Sequence, residues 1–308
     1  MKLANLDNFP KPIQNFLQND TYDGGAMTDI SATRLLDSPR ISRLRSEYSH
    51  EIVEDAKRRI AAALGTAFHN MMEQHAPEDW IVEERFYATV DGKVVSGQID
   101  ALEPVDKQKA SKALGKEVSQ PVIIQDWKVI TAFKAKSGMK DYEKQGNIYS
   151  FLCRENGYTP TSFIIWALIK DWKESEANRN PEYPQLPIMK YEYKLWDEED
   201  TKKYIFDRVK LHYQEEMPEC TDEEMWSTEP KFLATKKGHS RPTKIFDSER
   251  DALSWIADGE HRSTKGTTYE DWDITIRASE RRRCDNNWCN VAEVCDQYLK
   301  YKTEKEIG

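Results

Sequence analysis

The sequence predicts an α/β protein in which a central mixed β-sheet is flanked by helices. Residues 95–100 and 122–128 are short apolar runs rich in β-branched side chains, which is typical of strands, and residues 80–90 have a similar character. Residues 141–156 have the spacing of a helix, and the apolar run at residues 161–170 predicts a buried strand. The order strand, strand, strand, helix, strand is that of a mixed sheet with helices on its faces.

The chain before this sheet is expected to form an arm and two helices. Residues 1–28 carry Pro, Asn, Asp and Gly without a clear period, which predicts an extended arm or loop. Ser31 can cap a short helix that ends before Pro39. Residues 51–75 place apolar side chains at helical spacing and predict a longer helix. Residues 1–50 are therefore assigned to an N-terminal arm and short helix.

A β-hairpin is predicted next. The strand at residues 80–90 is followed by Asp91 and Gly92, a pair that favours a tight hairpin turn. The turn leads into a strand that we expect to end in Asp100. Residues 103–120 are polar and rich in lysine, which indicates an exposed connection.

The last third of the chain contains a change in composition. Residues 191–196 predict an edge strand, and Asp197 can cap the helix that follows. Beyond Pro218 the sequence predicts a hairpin, a short helix and a tail that carries cysteines. We therefore expect a core at residues 51–218 and a small C-terminal segment at residues 219–308.

The composition is that of a globular protein without a membrane segment. Of the 308 residues, 38% are hydrophobic and 32% are charged, and the net charge is −9. No run approaches the roughly 18 apolar residues that a spanning helix needs, and the N-terminus lacks the apolar core of a signal peptide. We expect a cytoplasmic protein whose cysteines are thiols or metal ligands. The negative charge excludes a wholly basic nucleic-acid-binding surface, but not a local one.

A candidate site lies on the two strands of residues 95–100 and 122–128. Side chains two apart on a strand share a face, so Asp126 and Lys128 project together. If the two strands are neighbours, Asp100 reaches the same place. Two carboxylates and an ammonium group can hold a divalent metal and an activated water beside a phosphate.

These residues and their flanks resemble the PD-(D/E)xK nuclease superfamily. The pattern consists of His69 on a helix, then Asp100, then Asp126-x-Lys128, and then Gln145-x3-Tyr149 on another helix. This order is similar to the RecB-like or λ-exonuclease-like branch, which includes phage and bacterial DNA exonucleases. The resemblance implies a restriction-endonuclease-like core.

The resemblance also implies a role for each residue. Mg²⁺ or Mn²⁺ is expected on His69, Asp100 and Asp126, with help from the carbonyl group of Val129. Lys128 is expected to position the attacking water and to stabilise charge on the phosphate in the transition state. Gln145 and Tyr149 are expected to contact DNA and to orient Lys128, although both could equally serve in helix packing. Two further carboxylates are candidates from their position in the sequence alone. Glu73 could orient His69 or help to hold water, and Glu84 either points towards the site or is a solvated strand carboxylate.

The predicted function is that of a metal-dependent deoxyribonuclease that hydrolyses phosphodiester bonds. An exonuclease that acts on DNA ends in recombination, repair or phage DNA processing is the first choice. The alternatives are a catalytically silent DNA- or protein-binding module and a structure-specific or nicking endonuclease. The chain has no GxxxxGK[ST] motif, so coupling to ATP would need a partner, and a helicase, a recombinase or a single-strand-binding protein would suit.

Two groups of lysines flank the predicted site. The group from Lys107 to Lys116 is expected to be solvated loop. The group of Lys134, Lys136, Lys140 and Lys144 directly follows the strand of Asp126, and its members are either solvated or in contact with the DNA backbone.

Four cysteines suggest a second metal site. Cys284, Cys289 and Cys295 are closely spaced in the tail, and Cys220 completes a set of four. Such a set can bind structural zinc or an iron–sulfur cluster, or the four can be separate buried thiols. Iron–sulfur relatives carry a cysteine at the position of Ser38, and its absence here favours zinc. Cys153 lies within the helix of Gln145 and is expected to serve in packing.

Overall fold

The protein is described by a computed structural model that covers residues 2–4, 6–18, 27–258 and 271–307. The chain forms two compact units, Met1–Pro218 and Glu219–Gly308. The division falls where the composition changes after Pro218. None of the described helices is long and apolar enough to cross a membrane.

The first unit contains a mixed six-stranded sheet with helices on both faces, as the sequence predicts. Its elements in chain order are β1 (Lys2–Ala4), α1 (Lys11–Gln18), β2 (Ile30–Ser31), α2 (Ala32–Leu36), α3 (Pro39–Glu47), β3 (Val53–Asp55), α4 (Ala56–Gln74), β4 (Ile81–Val90), β5 (Lys93–Pro104), α5 (Lys107–Leu114), β6 (Pro121–Ile130), α6 (Ala132–Ser137), α7 (Asp141–Glu155), β7 (Thr159–Ile169), α8 (Glu174–Ala177), β8 (Ile188–Tyr193) and α9 (Glu198–Tyr213).

The six-stranded sheet has the order β2-β5-β6-β7-β8, and β4 pairs with β5. The β2–β5 and β6–β7 pairs are parallel, and the β4–β5, β5–β6 and β7–β8 pairs are antiparallel. Asp91 and Gly92 both have positive φ, 49° and 71°, at the turn between β4 and β5. The predicted hairpin is therefore confirmed, since such a turn needs two left-handed residues.

Helix α7 packs against one face of the sheet at two glycines. A Cβ atom on Gly146 would lie 2.1 Å from the ring of Phe163 in β7, and one on Gly97 would lie 2.8 Å from Leu152. Both positions therefore need glycine for the helix to approach the sheet this closely. Helix α4 covers the opposite face, where Phe68 packs with Trp127. The two helices enclose the central strands β5, β6 and β7.

Two helix caps that the sequence predicts are present in the structure. The side chain of Ser31 accepts a hydrogen bond from the backbone N–H of Arg34 at the start of α2. Asp197 accepts one from Glu199 at the start of α9. These caps satisfy backbone donors that a helix leaves unpaired in its first turn.

Four predictions about the first unit were wrong in part. The helix predicted over residues 51–75 begins only at Ala56, because Val53–Asp55 form β3. Residues 1–28 are not all arm or loop, because β1 pairs with β3 in parallel and α1 buries Leu17, which is 5% exposed; residues 19–26 lie outside the described part. The connection at 103–120 contains α5, which is capped by Asp106. Lysine, glutamine and alanine form helices readily, although the segment as a whole is polar. Strand β5 does not end at Asp100 but continues to Pro104.

The second unit contains a small antiparallel sheet with the order β10-β9-β11. The hairpin of β9 and β10 was predicted, and β11 was not. Ala234, Ile256 and Trp272 form its buried cluster beneath α11. The elements are β9 (Lys231–Lys236), β10 (Lys244–Phe246) and β11 (Trp272–Arg277), with helices α10 (Asp222–Met225), α11 (Glu249–Asp258), α12 (Arg282–Asp285) and α13 (Asp296–Ile307) and a 3-10 turn at Ala292–Val294.

Candidate metal centre

Strands β5 and β6 separate beside the predicted acidic residues. The ladder that joins them ends at the pair Ala101–Gln125, and β2 covers the same edge of β5 only at Val95 and Ser96. Among the described residues, no strand pairs with that edge of β5 between these two pairings, and Asp100 is the last residue of this part. This gap gives side chains access to an edge that a continuous sheet would close.

The backbone of Trp127 in β6 is satisfied across the gap by side chains instead of a strand. Its N–H donates to Oδ2 of Asp100 at 2.7 Å, and its carbonyl oxygen lies 3.0 Å from Nε2 of His69. His69 projects from α4, and Asp100 from β5. Trp127 therefore fixes the orientation of both predicted metal ligands.

The contact with Trp127 determines the tautomer of His69. A carbonyl oxygen can only accept, so Nε2 carries the proton and the neutral ring has its lone pair on Nδ1. This Nδ1 atom lies 3.5 Å from Oε1 of Glu83 and 3.6 Å from Oδ2 of Asp100. Burial lowers the pKa of His69, but the carboxylates of Glu83 and Asp100 outweigh it and the pKa is raised. The two carboxylates therefore attract a positive charge at Nδ1, which a proton or a metal ion can supply.

Glu83 is the third group at this position, and the sequence did not indicate it. The β4–β5 register on either side places Glu83 opposite Asp100, and Glu83 has a left-handed backbone with φ of 50°. Such a conformation is uncommon for a residue other than glycine and costs on the order of 1 kcal/mol. Two carboxylates directly opposite each other also repel. Unfavourable arrangements of this kind are common at functional sites and uncommon in ordinary strand pairs.

The sheet changes its alternation at the Glu83–Asp100 pair. Ile99 and Leu102 are three residues apart in β5, yet both lie in the core beside α7. Ala101 instead packs with Trp127 on the opposite face. Regular alternation would put residues three apart on opposite faces, so β5 is irregular at Asp100. The left-handed backbone of Glu83 is the matching irregularity in β4.

Glu83 is held by a short chain of polar side chains. Nε2 of Gln98 donates to Oε2 of Glu83 at 2.8 Å, and Arg85 donates to Oε1 of Gln98 at 2.9 Å. Arg85 also donates to Ser96 at 3.2 Å. These contacts leave Oε1 of Glu83 directed towards His69.

The ligand atoms of His69, Glu83 and Asp100 all lie within 4.8 Å of one another. The separations from Nδ1 of 3.5 and 3.6 Å are long for hydrogen bonds. They match the spacing of roughly 3–3.6 Å between neighbouring ligands of a cation bound at 2.1–2.5 Å. An imidazole lone pair and two carboxylates therefore fit a divalent cation, with further positions for water or substrate.

Asp126 and Lys128 form a charged pair beside these ligands. Asp126 is completely buried, and Nζ of Lys128 lies 2.6 Å from its Oδ2 atom. Apart from this contact, neither oxygen of Asp126 accepts a hydrogen bond from the described part of the chain. A buried carboxylate with lone pairs to spare is suited to bind a cation or a water. The predicted projection of Asp126 and Lys128 to one place is confirmed.

The charges of this site act on one another. Burial and then the charge of Asp126 raise the pKa of Asp100 to about 7, although Lys128, His69 and the N–H of Trp127 lower it. Burial lowers the pKa of Lys128, but the charges of Asp126 and Asp100 outweigh this and raise it. Lys128 is therefore cationic at neutral pH. The excess of negative charge in a buried place is what a bound cation would offset.

The remaining predicted residues lie near the site in different roles. Gln145 donates to the hydroxyl oxygen of Tyr149 at 2.8 Å, and both are buried in α7, which favours packing. Val129 continues β6 beside Leu168, and the role of its carbonyl group stays a prediction. Glu84 and Glu73 are exposed. The strand carboxylate at the site is Glu83, and the exposure of Glu84 favours the alternative that it is a solvated strand carboxylate.

Tyr142 is a neighbour of Lys128 that the sequence analysis missed. The ammonium group of Lys128 lies 5.4 Å from the centre of its ring, which is a cation–π distance. Tyr142 precedes Gln145 by three residues in α7, so the helix of the predicted Gln-x3-Tyr pattern does reach the lysine, but through another residue. Residues three apart share a helix face, and that spacing was the available signal.

The four predicted cysteines of the second unit lie together. Cys284, Cys289 and Cys295 are buried, Cys220 is half-buried, and none of these four is in a disulfide. The pKa of Cys284 is raised by a hydrogen bond with Cys289, by burial, and by the charges of Cys289, Cys220 and Cys295. The four thiols are thus near enough to affect one another's ionisation, and a thiolate-bound metal on them stays a prediction.

Gln297 connects the two parts of this cysteine cluster. Its side chain accepts from the N–H of Cys220 at 2.8 Å and donates to the carbonyl oxygen of Cys220 at 3.0 Å. This double contact brings residue 220 to a tail more than 60 residues away in sequence. Cys153 behaves differently, because it is fully buried in α7 and burial raises its pKa to about 12.

Comparisons with known proteins add little to this geometry. No family model matches the chain, and no curated protein matches it in sequence. A solved structure described as "Crystal structure of SSO0001" shares 20% sequence identity, covers 66% of this chain and 85% of its own, and has a TM-score of 0.44. A similarity at that level carries no argument about function.

Proposed function

We propose that this protein is a divalent-metal-dependent deoxyribonuclease. The observation that carries the proposal is the convergence of His69, Glu83 and Asp100 beside the buried pair of Asp126 and Lys128. An acidic cation site with a fixed ammonium group is suited to hydrolysis of a phosphodiester, whose transition state gains negative charge.

Each residue has a part in this mechanism. His69, Glu83 and Asp100 would hold Mg²⁺ or Mn²⁺, and Asp126 is placed to hold the cation or its water. The cation supplies polarisation of a phosphate oxygen and a lower pKa for bound water. Lys128 is cationic, so it acts by stabilising charge on the phosphate rather than by accepting a proton.

The preference for DNA and for ends rests on the resemblance of the sequence to the RecB-like branch. Under this proposal the protein is an exonuclease in recombination, repair or phage DNA processing, with a helicase, a recombinase or a single-strand-binding protein as partner. Zinc or an iron–sulfur cluster on the four cysteines would stabilise the second unit, which has a small apolar cluster.

The test is cleavage of labelled linear DNA and covalently closed circular DNA by purified protein with Mg²⁺, with Mn²⁺ and with EDTA. The proposal expects metal-dependent loss of linear DNA, abolished in Asp126→Ala, with circular DNA intact. Cutting of circular DNA would replace the exonuclease with an endonuclease. A wild type that binds DNA but cuts neither substrate would refute the nuclease and leave a binding module.

A further inference from the structure

Phe133 is the most exposed large apolar side chain that the structure describes, at 81% exposure. It is the second residue of α6, which begins directly after the strand that carries Asp126 and Lys128. Single exposed apolar residues are common on protein surfaces. The exposure of Phe133 must therefore be interpreted from its position and its neighbours.

Phe133 projects from a fixed element rather than from a loose loop. The side chain of Thr131 caps α6 by accepting from the N–H of Lys134, and the N–H of Ala132 donates to Asp171 at 2.7 Å. Ala132 is itself buried. An aromatic ring held out in this way loses little conformational entropy when it binds a partner.

Lys134 connects Phe133 to the metal centre. Lys128 and Lys134 lie 5.4 and 5.7 Å from the centre of the same ring, that of Tyr142. Their ammonium groups are thus at most about 11 Å apart, or roughly three steps of 3.4 Å along a nucleic-acid strand. A strand with its scissile phosphate at Lys128 would pass Lys134 and Phe133 within a few nucleotides.

The chain segment that carries Phe133 is rich in lysine, in contrast to the acidic chain as a whole, and the exposed Asp171 is the carboxylate that contacts it at the start of α6. Lys136, Lys140 and Lys144 are exposed, and no acidic residue occurs between Asp126 and Lys140. The carboxylate of Glu143 accepts a hydrogen bond from Trp196 at 2.7 Å. Lysines around an exposed aromatic ring are typical of surfaces that bind single-stranded nucleic acid, where the ring stacks on a base.

We infer that Phe133 stacks on an unpaired base of the nucleic-acid substrate, within a few nucleotides of the phosphate at Lys128, and that Lys134 and Lys136 bind the adjoining phosphates. The inference rests on the proposed nuclease function. It specifies the substrate as a strand that is already unpaired near the cleavage site, such as a frayed end, an overhang or a single strand.

The test compares wild type with Phe133→Ala, Phe133→Trp and the control Leu186→Ala, which removes another exposed apolar side chain, 61% exposed. The substrates are a DNA duplex with a single-stranded overhang that carries 2-aminopurine, and a blunt duplex. Binding and 2-aminopurine fluorescence are measured in EDTA, where no cleavage occurs. Melting curves confirm that the variants fold.

We expect Phe133→Ala to bind the overhang about 5- to 100-fold more weakly, the range that base–aromatic stacking supports. Quenching of 2-aminopurine should be lost in Phe133→Ala and retained in Phe133→Trp and Leu186→Ala, and blunt DNA should be affected much less. Unchanged binding and quenching in Phe133→Ala would overturn the inference. Cleavage is measured separately with Mn²⁺: a wild type that shows Phe133-dependent quenching without cleavage supports the stacking surface and refutes the nuclease.

Discussion

Replacement of Glu83 by Gln should stabilise the metal-free protein and weaken its stabilisation by metal. The side chain keeps its shape and loses its charge, so contacts with Gln98 can reform. At about pH 8.5, above the pKa of Asp100 of about 7, both carboxylates are ionised. Their oxygens lie within 4.8 Å of each other, and the change removes that repulsion.

The magnitude follows from Coulomb's law. Two unit charges at about 4.8 Å in an effective dielectric constant of about 20 repel by roughly 3.5 kcal/mol. The side chain of Glu83 is 21% exposed, and solvent and Lys128 reduce the repulsion. We therefore expect about 1–2 kcal/mol of stabilisation in EDTA, or a rise of about 2–8 °C in Tm for a unit of this size.

Thermal melting in EDTA tests the expected stabilisation, and melting in Mn²⁺ tests the expected loss of stabilisation by metal. Mn²⁺ should raise the Tm of wild type by more than that of Glu83→Gln, because the variant has lost a charged ligand. The matched control is Glu84→Gln, which makes the same charge change at the next, exposed residue and should change neither value. If Glu83→Gln melts lower than wild type in EDTA, or gains as much from Mn²⁺, Glu83 is not a metal ligand.

Four other variants or conditions test the rest of the site. Lys128→Met should lower kcat by about 10²–10³ and leave Mn²⁺ affinity unchanged, because an ammonium group is not a ligand; calorimetry showing lost Mn²⁺ binding would contradict this. Gln98→Ala should weaken Mn²⁺ about 10- to 100-fold by releasing Glu83, and equal affinity would remove Gln98 as a positioning residue. The pKa of Asp100 is raised from 3.8 to about 7, so the folded metal-free protein keeps a proton that the unfolded chain loses. Its stability should therefore fall as pH rises from about 4 to 7, and Mn²⁺ affinity should rise through about pH 7; a flat pH profile of either would be evidence against the shift. Cys289→Ser should lose bound metal and melt lower, and elemental analysis showing no metal in wild type would leave the cysteines as ordinary thiols.

The sequence predicted most of the core because its signals were local. The turn at Asp91 and Gly92, the cap at Asp197 and the apolar run of β7 each depend on a few neighbouring residues. Helix α5 was missed because its sequence is polar, and α1 because only eight residues carry its pattern. Strand β11 was missed because its pairing with β9 joins residues far apart in sequence. Long-range pairing leaves little trace in local composition.

The sequence named four of the residues that the structure brings together, but it did not indicate Glu83. The sequence offered Glu84 as a candidate on β4, but the carboxylate at the site is Glu83, which has a left-handed backbone within the strand. No local pattern announces such a residue when it is not glycine or asparagine. Its conformation depends on the pairing of β4 with β5 and on contacts with Gln98, which only the folded chain supplies.

The irregularity at Glu83 also explains how one sheet can bring together residues from both of its faces. His69 comes from α4 on the Trp127 face, whereas Asp126 and Lys128 alternate with Trp127 and project from the other face. A regular sheet would separate these groups by its own thickness. Because the β5–β6 ladder stops at Ala101 and the alternation changes at Asp100, the side chains meet at the strand edge that this ladder leaves unpaired. The same break in the sheet thus brings the candidate ligands together, and a variant that restored regular pairing at positions 83 and 100 would be expected to lose the site.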